Sequence, residues 1–216
     1  MNAATETGVR IDADGVELEG DLVIPDGANQ LVVFAHGSGS SRRSPRNRHV
    51  AGQLQQGGLG TLLFDLLTAR EEVLDQRTGH LRFDIELLAR RLVEVTDWLR
   101  EQETTRDMTL GYFGASTGAA AALIAASERA DVVRAVVSRG GRPDLAFGAL
   151  PSVRAATLLI VGGRDYPVIE MNEEAFRQLT CEKRMEIVPG ATHLFEEPGT
   201  LDQVAQLARD WFGAHL

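Results

Sequence analysis

The stretch Leu110-Gly111-Tyr112-Phe113-Gly114-Ala115-Ser116-Thr117-Gly118-Ala119-Ala120-Ala121-Ala122-Leu123 constrains this chain more than any other. An apolar run suited to a buried strand ends in Gly-x-Ser-x-Gly, and an Ala-rich run of high helix propensity begins at once. Strand, sharp turn and helix are therefore expected in immediate succession. Gly114 and Gly118 leave room where a tight turn would press a Cβ against backbone, so Ser116 can stand proud of the sheet edge. The blander alternative is a serine that merely caps the following helix.

Strands alternating with helices are legible along most of the remaining chain. Val9 to Asp12 and Val16 to Ile24 alternate apolar and polar residues across Ala13-Asp14-Gly15, which predicts an antiparallel hairpin at a sheet edge. Leu31 to Ala35 is an apolar run typical of a strand covered on both faces, and it leads into His36-Gly37-Ser38-Gly39-Ser40. A helix over Pro45 to Gln56, a strand over Leu59 to Leu66 and a charged connection from Thr68 to Gly79 come next. Leu81 to Glu103 then repeats apolar residues at helical spacing. Beyond the central stretch the expected elements are a strand over Val132 to Ser138, a short helix or loop through Leu150 and a strand over Thr157 to Val161. A helix from Ile169 to Leu179, a strand from Arg184 to Val188 and a last helix from Leu201 to Phe212 complete the chain. Such alternation implies parallel crossovers: an α/β fold with a mostly parallel central sheet, an N-terminal antiparallel hairpin and helices on both faces. No repeat or linker interrupts it, so residues 1–216 are expected to form one domain.

Composition narrows the function classes. With 216 residues, 44% of them apolar, the chain can bury a sizeable core. A formal net charge of -9 argues against nucleic-acid binding, which needs surplus Lys and Arg. No apolar run reaches membrane-spanning length, and the N-terminus lacks a basic stretch followed by an apolar core, so neither a membrane segment nor a secretory signal is expected. The single cysteine, Cys181, suits a reducing compartment and reads as a small, partly buried residue rather than a reactive thiol. A cytoplasmic protein is the expectation.

In an open parallel sheet the site lies at the carboxyl ends of the strands. Polar candidates follow strands at four places: His36 to Ser40, Ser116, Asp165 and His193. The chain order Ser, Asp, His is the one expected when a Gly-x-Ser-x-Gly turn nucleates a catalytic triad on this architecture. Glu170, Asp144, Glu196 and Glu197 compete with Asp165 for the acid.

On these motifs the chain resembles the α/β-hydrolases, and within them the dienelactone hydrolase-like group. The resemblance runs from about Gly15 to His215 and rests on His36-Gly37-Ser38-Gly39-Ser40, Gly114-Ala115-Ser116-Thr117-Gly118, Gly162-Gly163-Arg164-Asp165 and Gly190-Ala191-Thr192-His193-Leu194-Phe195. In dienelactone hydrolase itself the nucleophile position holds Cys, whereas here it holds Ser116, a departure that points to ordinary ester chemistry. The chain also looks like a branch in which such hydrolases sometimes accompany a phosphoribosyltransferase domain; no such domain is expected within these residues.

Acyl transfer assigns the roles. A serine hydroxyl is a weak nucleophile, so a base must take its proton during attack; His193 fits, since an imidazole of ordinary pKa, near 6.5, is largely neutral at pH 7. Asp165 would orient that ring and stabilise the imidazolium. The oxyanion needs preorganised donors, expected to be the backbone N–H groups of Ser38 and Thr117. His36 reads as a brace for the oxyanion loop rather than a proton carrier. His36, Gly39, Arg70, Glu71 and Arg139 could rim a substrate pocket, as could Glu72, although exposed loop is the simpler reading of Arg70, Glu71, Glu72 and Arg139. The basic run Arg42, Arg43, Arg46 and Arg48 is either a solvated face or an attraction for an acidic substrate. The resulting expectation is a serine carboxylesterase for small esters, with no metal or organic cofactor. A lactonase or thioesterase with the same residues is the nearest alternative, and a non-catalytic binding module the alternative of another class. The segment from Ser138 to Thr157, where such folds commonly insert a lid, is too short for one; short acyl groups are therefore expected. The oligomeric state is not legible.

Overall fold

The computed structural model describes residues 5–13 and 15–216. The expected Asp-Gly turn lies partly outside them, because it includes Asp14. Eight strands form one sheet in the order β1-β2-β4-β3-β5-β6-β7-β8. These are β1 (Glu6–Ala13), β2 (Val16–Val23), β3 (Gln30–Ala35), β4 (Gly60–Phe64), β5 (Thr109–Ala115), β6 (Val133–Arg139), β7 (Ala156–Gly162) and β8 (Lys183–Val188). β1 pairs antiparallel with β2, and β2 antiparallel with β4, while every pairing from β4 through β8 is parallel. The hairpin therefore forms one edge, as its alternating sequence requires. β3, β5 and β7 are apolar runs buried almost end to end, because helices cover both faces of the parallel part.

Among the described residues five α-helices lie between strands, α1 (Pro45–Gln56), α2 (Ala69–Thr78), α3 (Ile85–Glu101), α4 (Thr117–Glu128) and α5 (Tyr166–Gln178), and α6 (Thr200–His215) follows the last strand. α1 and α6 pack together over the core containing Phe34, Phe113 and Phe212, and α3 and α4 over the opposite core containing Leu62, Tyr112 and Leu159. Nine residues of α4 are buried, and its Ala-rich composition lets it lie close against both the sheet and α3. Tyr112 can be fully buried because its hydroxyl meets Thr96 Oγ1 at 2.6 Å.

Two expectations are corrected here. The segment Thr68 to Gly79 is a helix, not merely a charged connection. Its signal was present in Thr68-Ala69-Arg70-Glu71, a capping box in which Thr68 Oγ1 accepts from Glu71 N–H and the Glu71 carboxylate accepts from Thr68 N–H. Gly79 ends the helix at φ 66°, in the left-handed conformation that favours glycine. The long helix expected over Leu81 to Glu103 begins only at Ile85, where Asp84 caps it through Leu87 N–H at 3.0 Å. Leu81 to Phe83 form a short 3₁₀ turn instead. Buried Asp75 accepts from Leu81 N–H, Arg82 N–H and Arg82 Nε and so ties that turn back to α2.

Candidate active site

Ser116 occupies the turn between β5 and α4 with φ 51° and ψ −120°, a conformation that a side chain makes costly by about 1–3 kcal/mol. Its neighbours hold it there. Ser116 N–H donates to the Arg139 carbonyl at 3.2 Å, and its own carbonyl accepts from Ala119 N–H and Arg142 N–H, each at 3.1 Å. The motif glycines are required by close approach: a Cβ on Gly114 would lie 2.4 Å from Ala119 Cα, and one on Gly118 would lie 2.2 Å from the Ala35 carbonyl oxygen. Thus the five-residue motif brings α4 against both β5 and the end of β3.

His193 Nδ1 meets Asp165 Oδ2 at 2.6 Å, a short N···O hydrogen bond. Asp165 follows β7, fixed by its N–H on the Gly162 carbonyl at 3.0 Å, while Arg164 N–H reaches across to the Ala191 carbonyl in the histidine loop. Gly162 has to be small, since a Cβ there would come within 2.6 Å of the Ala191 and Thr192 carbonyls. A Cβ on Gly140 would lie 3.1 Å from the His193 carbonyl and 3.6 Å from its Cε1. Arg139 and Gly140 therefore lie between the two halves of the site: one bonds the Ser116 backbone, and the next leaves no room for a side chain beside His193. The competing acids are elsewhere. Asp144 pairs with Arg142 at 2.7 Å, Glu196 with Arg46 at 3.2 Å, Glu197 accepts from Thr192 N–H at 3.1 Å, and Glu170 is exposed on α5.

The loop after β3 closes the third side. A Cβ on Gly37 would sit 3.1 Å from both the Ala115 carbonyl and Ser116 Cβ, so this loop lies directly against the turn that carries Ser116. Ser38 and Gly39 follow it and are exposed. His36 is buried at its base, with Nδ1 3.0 Å from the Gly37 carbonyl and Nε2 accepting from Leu66 N–H at 3.1 Å. The only arrangement satisfying both contacts is a neutral ring that donates from Nδ1, so His36 braces the loop against the strand beside it. Desolvation lowers its pKa from the ordinary histidine value, against weaker opposing contributions from Gly37, Asp65 and Glu72. The unfolded chain thus takes up this proton first as pH falls, and the stability contributed by neutral His36 is complete above pH 6.5 and declines below it. Thermal melts from pH 7.5 to pH 5 should show a fall in Tm that is shallower in His36→Asn; an unchanged slope would remove His36 as its source.

The expected pocket rim is only partly assembled. A cleft of about 790 Å³ opens between the β3–α1 loop and the β4–α2 connection, with His36, Ser38, Gly39, Arg46, Thr68 and Glu72 among its walls. Ser116, Asp165 and His193 do not line it; it adjoins their site through Ser38 and Gly39. Arg70 points from the exposed face of α2 and is not in the cleft wall, and Glu71 is committed to Thr68 and to Arg91 at 2.9 Å. Arg139, for which exposed loop was the simpler reading, is the last residue of β6 and only 7% exposed. Its backbone is held in the sheet between Ala115 of β5 and Ile160 of β7, a placement not legible in an Arg that precedes Gly140 and Gly141. Within the basic run, Arg42 is held by Glu19, Asp21 and Asp65, and Arg48 by Glu6 and Asp21. Among the described residues no cluster of three or more His, Cys, Asp or Glu could hold a metal ion, and no helix is long and apolar enough to cross a membrane.

A parallel sheet with an antiparallel edge, a strained Ser at the β5–α4 turn and a hydrogen-bonded Asp and His after β7 and β8 define the α/β-hydrolase class. The chain belongs to the dienelactone hydrolase family, whose model matches residues 26–213. It is 62% identical to a dienelactone hydrolase from Anabaena variabilis, with a TM-score of 0.98 over 99% of both chains. Est1E from Butyrivibrio proteoclasticus shares the fold at 15% identity, with a TM-score of 0.80 over 96% of this chain and 98% of that one. A Mycobacterium tuberculosis protein named "Putative phosphoribosyl transferase" is 58% identical over 208 residues, which are 96% of this chain and 46% of that protein. The chain thus spans less than half the length of that curated relative.

Proposed function

We propose that this chain is a serine hydrolase of the carboxylesterase type, cleaving small esters through an acyl-enzyme with Ser116 as nucleophile. The supporting observation is the coincidence of a strained Ser116 turn with the 2.6 Å His193–Asp165 hydrogen bond. Ser116 Oγ attacks the ester carbonyl while His193 Nε2 takes its proton; Asp165 keeps Nδ1 protonated and stabilises the imidazolium. The tetrahedral oxyanion is stabilised by the N–H groups of Thr117, in the first turn of α4, and Ser38. His193 then protonates the departing alcohol, and water activated by the same imidazole hydrolyses the acyl-enzyme. The chemistry uses no metal or organic cofactor, and cytoplasm is its proposed location. A lactone, whose ring ester opens by the same steps, is the second reading, favoured by the name of the 62% identical relative. A binding module without turnover would have no use for the strain at Ser116.

A fluorophosphonate probe should label wild-type protein and map to Ser116. Failure to label, or an adduct on another serine, overturns the reading. Substrate length supplies a separate expectation. The connection from β6 to β7 holds only two short 3₁₀ turns, Pro143–Ala146 and Leu150–Ser152, and no lid. A deep apolar tunnel would reward each buried methylene by about 0.8 kcal/mol, and an open site would not. Across p-nitrophenyl esters from acetate to palmitate, kcat/KM should therefore peak at roughly two to six acyl carbons, with no activation by emulsified substrate. A maximum at long chains would show an apolar acyl channel.

A further inference from the structure

One buried polar side chain has no part in the chemistry above. α5 buries a stripe of Val168, Asn172 and Ala175, and Asn172 alone of the three carries an amide there. Its Nδ2 donates to the Val168 carbonyl, one turn back, at 2.8 Å and to the Gly141 carbonyl at 3.0 Å. Two carbonyl acceptors fix which end of the amide faces them. Oδ1 finds no partner among the described residues. An aliphatic residue would pack the helix at least as well, since an unpaired buried oxygen is unfavourable. What it could not supply is the bond to Gly141.

Gly141 stands in the segment that holds the Ser116 turn. The Arg139 carbonyl accepts the Ser116 N–H at 3.2 Å, and Arg142 N–H donates to the Ser116 carbonyl at 3.1 Å, so both flanks of Ser116 are tied to residues 139–142. Gly140 and Gly141, between them, have no side chains to anchor the backbone, and Gly140 sits at φ 51°. A Cβ on Gly141 would lie 2.0 Å from Ser138 Oγ and 2.7 Å from Ala119 Cβ, so the segment has to be held from elsewhere, and the Asn172 amide holds it. The same helix carries the acid. Asp165 is the N-cap of α5; its carbonyl accepts Ile169 N–H at 3.0 Å and its carboxylate meets His193. A single amide thus ties the helix that Asp165 begins to the segment bonded to Ser116.

We propose that Asn172 is a positioning residue: through Gly141 it fixes the Ser116 turn relative to Asp165 and His193. The proposal rests on the hydrolase reading above. Misplacing a nucleophile by about 1 Å can cost about a hundredfold in rate. Asn172 lines no part of the cleft, so substrate binding should be spared.

Two substitutions separate the two bonds. Asn172→Thr can still bond the carbonyl four residues back, as Thr96 does to Leu92 at 2.8 Å, but is too short to reach Gly141 as well; Asn172→Leu keeps the branched shape and makes neither bond. Both should lower kcat on p-nitrophenyl acetate about tenfold or more, with KM changed by less than about twofold and the rate of fluorophosphonate labelling falling in parallel. Ala175→Gly, in the same buried stripe, controls for stability: it should lower Tm through helix propensity and leave kcat within about twofold of wild type. Full activity in Asn172→Thr, or losses across all three variants that follow Tm, overturns the proposal and marks Asn172 as a structural residue. So does a loss carried by KM. Should either Asn172 variant fail to fold, the other decides. The two readings fail separately. If wild type labels at Ser116 and the Asn172 variants keep kcat, only the positioning role is lost; if wild type does not label at Ser116, that role falls with the hydrolase reading.

Discussion

Ser116→Ala should lower kcat on p-nitrophenyl acetate by about 10⁴-fold or more and leave the protein folded. The loss is large because the acyl-enzyme route cannot start without the Oγ, and the residual rate would come from the oxyanion donors and substrate binding alone. Stability should change by less than about 1 kcal/mol, since no side-chain hydrogen bond to Ser116 caps α4 and the Cβ is retained. Ser116→Gly separates activity from strain. It should lose as much activity, while a Tm equal to or above that of wild type reports relief of the φ 51° conformation. Near wild-type turnover by purified Ser116→Ala would remove Ser116 as nucleophile, whatever its backbone geometry.

His193→Ala should cost a comparable factor, and Asp165→Asn about 10⁴-fold in kcat, because an amide in place of the carboxylate favours the wrong imidazole tautomer. The 2.6 Å contact makes this a test of geometry: Asn at 165 can stay in place and still donate where it should accept. Asp144→Asn and Glu170→Gln should change kcat by less than about threefold, one acid being paired with Arg142 and the other exposed on α5. Residues that act as a unit lose activity only once, so Ser116→Ala combined with His193→Ala should be no slower than Ser116→Ala alone. A larger loss from Asp144→Asn than from Asp165→Asn would move the acid to residue 144.

The periodic parts of the molecule were legible because their signals are local. Apolar runs such as Leu31 to Ala35 read as covered strands, the alternation in Val16 to Ile24 as an edge, and the Gly-x-Ser-x-Gly between a strand and an Ala-rich helix as a sharp turn. Sequence also ordered the polar residues that follow the strands. It did not reveal α2, although Thr68, Glu71 and Gly79 spell its two ends, because the residues between them carry no strong apolar periodicity. Nor did it show that the long apolar repeat after Gly79 starts its helix only at Ile85, a limit imposed by the buried carboxylate of Asp75.

Chain order by itself determined that a Ser, an Asp and a His would follow three different strands of one parallel sheet, since strand-end position is set by local pattern and the sheet aligns those ends. Only the tertiary structure decided which acid meets the histidine, because that depends on the loops after β7 and β8 approaching so closely that a Cβ on Gly162 would lie 2.6 Å from the Ala191 and Thr192 carbonyl oxygens. Only the tertiary structure, too, separated arginines that look alike in the sequence. Arg42 is enclosed by carboxylates from β2 and the end of β4, whereas Arg139 is buried at the end of β6 with its Nε and Nη1 unpartnered among the described residues. Local sequence encodes which residues want to be buried or exposed; the partner that a buried charge finds, or lacks, is settled by segments far away in the chain.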